Sequence, residues 1–216
     1  MPVEMFAQSP LIRVQYILKD RATASSAGRL FLYPPGCTGS CEELTYTELY
    51  SQALQKSEVI RSLPGFRSGR PVLLHLPNLR DAITWFWAVL LAEGLPVPSP
   101  PFSNGPEPRN AHIAHLSSLL EAPACITSAE LLPLFTGIGH DLTSYTTDEL
   151  DAKQAPVAAV HSCLHDRHDT STAVLMLTSG STGLSKAVQL THRQILSALA
   201  SKSRVRPRTS GGCFLS

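Results

Sequence analysis

A single lysine among hydroxyls and glycines carries the densest chemistry in this sequence: Thr178-Ser179-Gly180-Ser181-Thr182-Gly183-Leu184-Ser185-Lys186-Ala187. Glycines at 180 and 183 admit backbone angles closed to other residues. Successive N–H groups can then point into one concavity, which is an anion site. Thr178, Ser179, Ser181 and Thr182 add hydroxyl donors, and Lys186 adds a flexible point charge. A polyphosphate is the natural ligand for that combination. The usual phosphate loop, glycine and four residues followed by Gly-Lys-Ser/Thr, does not fit. Its second glycine would fall on Ser185, and Ala187 leaves no hydroxyl after the lysine. A dinucleotide fingerprint fails as well, because residue 182 is threonine. A plain Ser/Gly-rich turn between two strands is the bland alternative.

The elements that must position this stretch read as alternating strand and helix. Residues 1–43 are expected to be an irregular lead-in, with a turn at Pro34-Pro35-Gly36. Thr45 and Glu48 have capping-box spacing, so a helix is expected from there to about Leu63. Pro71 to Leu76 reads as a buried strand. Arg80 to Glu93 reads as a helix, with Ile83, Phe86, Trp87, Leu90 and Leu91 at helical spacing. Gly94 is its expected stop. Leu95 to Pro98 is a short strand and Pro98 to Pro108 a loop. A helix over Arg109–Glu121, a strand over Ala124–Thr127 and a short helix over Ala129–Phe135 follow. Asp151 to Thr172 is expected to be irregular. Strands over Ala173–Leu177 and Ala187–Leu190 flank the lysine stretch, and a helix runs from Thr191 to Ser203. The alternation predicts an α/β fold with a mostly parallel sheet and flanking helices.

Set on those elements, Thr-Ser-Gly-Ser-Thr-Gly-x-x-Lys followed by Leu190-Thr191-His192 resembles the phosphate-binding signature of adenylate-forming enzymes. These are the acyl-CoA synthetases, luciferases and adenylation domains of nonribosomal peptide synthetases. Leu44-Thr45-Tyr46-Thr47-Glu48-Leu49 resembles their first core motif, and Leu91 to Pro98 their second. The sequence departs from the commonest pattern at Ser185, where proline is usual, and at Ala187, where glycine is usual. The lead-in and the stretch from Asn78 to Pro106 most resemble fungal synthetase-like and hybrid polyketide–peptide enzymes.

The resemblance implies an incomplete N-terminal adenylation domain over residues 44–216, inactive alone. It implies ATP and magnesium, with a phosphopantetheine thiol or CoA as acyl acceptor. A carboxylic or amino acid would be activated as its acyl-adenylate in secondary metabolism. A carrier protein or downstream synthetase modules would be partners. The implied phosphate-binding residues are Thr178, Ser179, Gly180, Ser181, Thr182, Gly183 and Lys186, and no catalytic residue is expected within this stretch. A non-catalytic nucleotide-binding or regulatory module is the competing reading. An unrelated kinase or NTPase is a third, disfavoured by the failed phosphate-loop pattern. His192 is expected to give structural support.

Composition bounds the rest. The 216 residues carry a net charge of +1, with 43% apolar and 16% charged residues, ordinary for a soluble domain. Nothing steers such a chain to nucleic acid. The basic run Lys202, Arg204, Arg206 and Arg208 is interrupted by Pro207 and reads as solvated. The longest apolar run, Ala82 to Ala92, is too short to cross a bilayer. Five cysteines at irregular spacing suggest reduced thiols and a cytoplasmic setting. His161, Cys163, His165, Asp166, His168 and Asp169 could ligate a metal but match no standard zinc spacing, so no metal site is expected. Cys37 and Cys41 read as unpaired thiols, and His112 and His115 as partly exposed polar positions on one helix face. Trp85 and Trp87 are expected in the core. No Gly-x-Ser-x-Gly elbow supports hydrolase chemistry.

Overall fold

A computed structural model describes residues 13–24, 28–33, 41–136, 139–153, 170–179 and 185–205. The N-terminal part holds helix α1 (Gln15–Thr23), strand β1 (Arg29–Leu32) and strand β2 (Glu42–Thr45). Here the expectation of an irregular lead-in is corrected. β1 pairs antiparallel with β2, Arg29 opposite Thr45 and Leu32 opposite Glu42. Leu18, Leu32, Leu44 and Leu49 bury one another in a small cluster. Long-range partners, not local periodicity, make these elements.

Helix α2 (Tyr46–Arg61) starts as expected. The Thr45 hydroxyl accepts from the Glu48 N–H at 3.1 Å, and the Glu48 carboxylate accepts from the Thr45 N–H at 2.9 Å. Then come β3 (Pro71–His75), α3 (Leu79–Leu91), β4 (Leu95–Pro98), α4 (Pro106–Leu119) and β5 (Ala124–Thr127). A 3₁₀ turn (Leu132–Phe135) stands in place of the expected short helix. The next two elements have no counterpart in the sequence reading: strand β6 (Thr143–Thr146) and the one-turn helix α5 (Thr147–Asp151). Thr146 and Glu149 form a second capping box. The expected turn at 34–36 and most of the expected irregular stretch, 154–169, lie outside the described residues.

Strands run in the order β4-β3-β5-β6, all parallel. Alternation along β3 sorts the core into two layers. Val72 and Leu74 pack with Ala53 and Ile60 of α2 and with Trp85, Ala88 and Val89 of α3. Leu73 turns to the other face, against Ile113 and Leu116 of α4. Trp85 is fully buried, as expected, with the Lys56 ammonium over its ring. Burying each such side chain contributes roughly 1.5–3 kcal/mol.

Helices α3 and α4 each end in a Schellman motif, and glutamate takes the left-handed position in both. At the end of α3, the Gly94 N–H bonds the Val89 carbonyl and the Glu93 N–H that of Leu90; φ of Glu93 is 67°. The left-handed residue is therefore Glu93, not Gly94. Gly94 is required for space, since a Cβ there would lie 2.9 Å from Val89 Cγ1. At the end of α4, Glu121 has φ of 56° and Ala122 of 54°. A left-handed turn costs a non-glycine residue roughly 1–2 kcal/mol. An arginine meets each glutamate: Arg13 Nη1 donates to Glu93 Oε1 at 2.9 Å in a nearly buried pair, and Arg70 Nη1 to Glu121 Oε2 at 3.0 Å in an exposed one.

The last elements are β7 (Thr172–Ser179), β8 (Ser185–Thr191) and helix α6 (His192–Val205). β7 and β8 form an antiparallel hairpin. β7 runs beside β4 without pairing to it. Composition of β4 accounts for this. The N–H groups of Leu95 and Ser99 point to β3, bonding the carbonyls of Arg70 and Leu74. The alternate positions, facing away from β3, are Pro96 and Pro98, which have no N–H to offer.

Candidate functional site

The hairpin presents the lysine stretch at its tip. Thr178 lies opposite Lys186 and Ser179 opposite Ser185 as the last rungs of the ladder. Gly180, Ser181, Thr182, Gly183 and Leu184 connect them and lie outside the described residues. Thr178 and Lys186 are both exposed. The Thr178 hydroxyl donates a long bond, 3.4 Å, to the Lys186 carbonyl. None of the ion pairs among the described residues involves Lys186. The opposite face of the hairpin, Leu177 and Ala187, packs onto the cluster built on Ile113 and Leu116 of α4.

One polar contact joins α4 to this tip. His115 Nε2 lies 2.7 Å from the Ser185 carbonyl oxygen. Sequence reading placed His115 as a partly exposed polar residue. No local signal could join it to a residue 70 positions away. On the same helix, His112 faces Phe102, whose ring stacks on His75 at 3.9 Å. Burial, with His112 nearby, pushes His75 down to about 4. His75 Nδ1 is 3.2 Å from the Ser99 hydroxyl at the C-terminal end of the parallel sheet.

The base of the hairpin is fixed by His192. Thr191 and Gln194 form a third capping box: the Gln194 N–H donates to the Thr191 hydroxyl and the Thr191 N–H to the Gln194 amide oxygen. His192 is 3% exposed, and its Nδ1 accepts the Val14 N–H at 3.1 Å. That bond needs the neutral ring, with the proton on Nε2. Burial, then the Arg13 charge, lower His192 to about 4, consistent with a neutral ring. The histidine thus ties α1 to the junction of β8 and α6.

A cavity of about 200 Å³ lies at this base, away from the tip. Arg13, Gln15, Glu93, Ser171 and His192 are among its lining residues. The Gln15 amide, Arg13 Nε and the Ser171 hydroxyl are buried there without a hydrogen-bond partner among the described residues.

Other sequence candidates fall differently. The His/Cys/Asp run at 161–169, Cys37, Arg206 and Arg208 lie outside the described residues. Cys41 and Cys125 are free thiols. Among the described residues no group of three or more His, Cys, Asp or Glu could hold a metal ion. No described helix is long and apolar enough to cross a membrane.

Comparison with known proteins defines the class. The family described as AMP-binding enzyme matches residues 19–213. The chain belongs to that family. Aspulvinone E synthetase melA of Aspergillus terreus is 39% identical over 199 residues, which cover 92% of this chain and 21% of that protein. Microperfuranone synthase of Emericella nidulans is 35% identical over 193 residues, 89% of this chain and 20% of that protein. The chain therefore spans about a fifth of the length of these relatives. Among solved structures, fatty acyl-adenylate ligases from E. coli and L. pneumophila superpose with a TM-score of 0.72 at 27% identity, covering 90% of this chain and 35% of that one. A McyG A-PCP structure complexed with phenylalanyl-adenylate shares the fold, with a TM-score of 0.73 at 22% identity, over 89% of this chain and 35% of that one. The α/β fold of this chain is that of part of an adenylate-forming domain.

Proposed function

We propose that this chain grips the polyphosphate of ATP in an enzyme of secondary metabolism that activates a carboxylic or amino acid as its acyl-adenylate. The observation that carries the reading is the last rungs of the β7–β8 hairpin. They put an exposed Thr178 opposite an exposed Lys186 that has no ion-pair partner among the described residues, at the two ends of a Gly/Ser/Thr connection. In the proposed reaction a carboxylate oxygen of the acid attacks the α-phosphorus. The bond from that phosphorus to the bridging oxygen breaks, and pyrophosphate leaves with the electron pair. Lys186, the Thr178, Ser179, Ser181 and Thr182 hydroxyls and the N–H groups around Gly180 and Gly183 would hold the β- and γ-phosphates as that charge develops.

Magnesium, a hard cation, prefers oxygen donors. The hydroxyl-rich tip suits it, whereas the described residues offer no carboxylate or imidazole cluster of their own. Its place in this reading is with the nucleotide's phosphates. The acyl group would then pass to a thiol, a phosphopantetheine arm on a carrier protein or CoA. Free thiols at Cys41 and Cys125 fit a reducing, cytoplasmic setting. The share of the relatives that is matched supports a further point: the 216-residue chain supplies the phosphate grip and does not complete the reaction by itself.

Calorimetric titration with ATP tests the reading. Removing a charge-assisted contact costs about 1.5–3 kcal/mol, so Lys186→Ala should weaken ATP by about tenfold or more, and equal affinity would refute the assignment. A pyrophosphate-exchange assay on the same chain separates its two arms. Nucleotide binding without exchange is the expected result; exchange would show a complete catalyst.

A further inference from the structure

The Ser185 carbonyl that His115 approaches belongs to the peptide plane whose nitrogen is that of Lys186. A carbonyl only accepts, so His115 must present Nε2–H. Anchoring that plane fixes the position of the Lys186 Cα, from which the side chain departs. The plane sits at the last rung of the ladder, Ser179 opposite Ser185, where backbone pairing alone holds it least. On its other side, the Lys186 carbonyl receives the Thr178 hydroxyl through the long 3.4 Å bond. Ala187, the next residue, is packed with Ile113 and Leu116 of α4. Helix α4 thus holds the strand by side-chain packing at Ala187 and by one short hydrogen bond, 2.7 Å, at Ser185. Ser185 is also the position at which the resembled signature usually has proline; serine leaves φ of this residue unrestrained by a ring.

We infer that His115 is a positioning residue for Lys186: from helix α4 it anchors the Ser185–Lys186 peptide, and so fixes the point at which the lysine leaves the strand. The inference deepens the phosphate reading and rests on it. His115 itself touches no reacting atom.

A double-mutant cycle on the full chain tests it, with ATP and inorganic pyrophosphate as probes. His115→Phe should weaken both ligands by roughly three- to tenfold, the value of one lost hydrogen bond. The same change in the Lys186→Ala background should cost less than twofold. His115→Gln keeps a side-chain N–H donor and should recover most of the loss. An equal cost with and without the lysine would mean a merely structural histidine and would overturn the inference. If Lys186→Ala weakens binding while His115→Phe does not, this inference alone falls. If Lys186→Ala changes nothing, the phosphate reading falls and takes this one with it. Histidine side-chain ¹⁵N NMR on the unsubstituted chain needs no variant to fold. It should find the proton of His115 on Nε2, and a bare Nε2 would overturn the geometry outright.

Discussion

Arg13 reaches a residue 80 positions away to put its guanidinium 2.9 Å from the carboxylate of Glu93, the residue that turns left-handed at the end of α3. Both side chains are nearly buried, 5% and 11% exposed. The Ser68 hydroxyl donates to the other Glu93 oxygen at 3.0 Å. Removing one partner of such a pair strands the other charge, at a cost of about 3–5 kcal/mol. Arg13→Ala should therefore lower the unfolding free energy by about 3 kcal/mol, read from urea midpoints. Glu93→Gly relieves the left-handed strain yet should still destabilise. Combined with Arg13→Ala, it should cost less than the two single changes added together.

Gly94→Ala tests why that turn is followed by glycine. The new methyl group would meet Val89 Cγ1 at 2.9 Å and the Phe66 ring at 3.2 Å. Overpacking of this kind costs about 1–3 kcal/mol. A clear fall in melting temperature is expected, whereas Gly65→Ala, with nothing within 4 Å but φ of 74°, would be felt only through backbone strain.

Acid should weaken the fold before it reaches the carboxylates. His75 and His192 are both lowered to about 4, chiefly by burial. Their unfolded value is near 6.5. Between those values the unfolded chain binds more protons, so stability falls as pH drops from about 6.5 to about 4 and levels off below. Each histidine contributes a slope of at most about 1.4 kcal/mol per pH unit. Urea midpoints at pH 7, 6, 5 and 4 should show this decline, and His192→Gln should flatten part of it.

The capping boxes give a smaller, local prediction. Thr45→Ala should cost about 1 kcal/mol, the usual value of a lost N-cap. Glu48 is held below the ordinary carboxylate range, mainly by the Thr45 N–H and then by its hydroxyl. The same substitution removes only the hydroxyl and keeps the N–H, so Glu48 should move part of the way toward its ordinary value and stay below it, measurable by carboxylate NMR.

Strand β3, helix α3 and the Thr45 cap were legible because each is written in neighbouring residues: a short apolar run, a helical repeat, a cap three positions ahead of its partner. The hairpin strands were legible for the same reason, though each was expected one residue short at one end and two at the other. Helix α1 and strand β1 were not, because β1 exists only against β2 and α1 only against the cluster around Leu44 and Leu49. The left-handed turn falls on Glu93 and not on the expected glycine stop, and the partner that holds the Glu93 carboxylate, Arg13, lies far away in sequence. Of the candidate site, the residue types at 178–186 could be read directly. The hold of His115 on Ser185 could not, since it depends on how α4 packs behind β8.

Prolines 96 and 98 leave β4 without donors on the side where β7 runs. The hairpin is therefore seated on the sheet through side chains, with no ladder across that seam. The two ladders are separately hydrogen-bonded units, so amide exchange in the hairpin need not follow exchange in the four parallel strands.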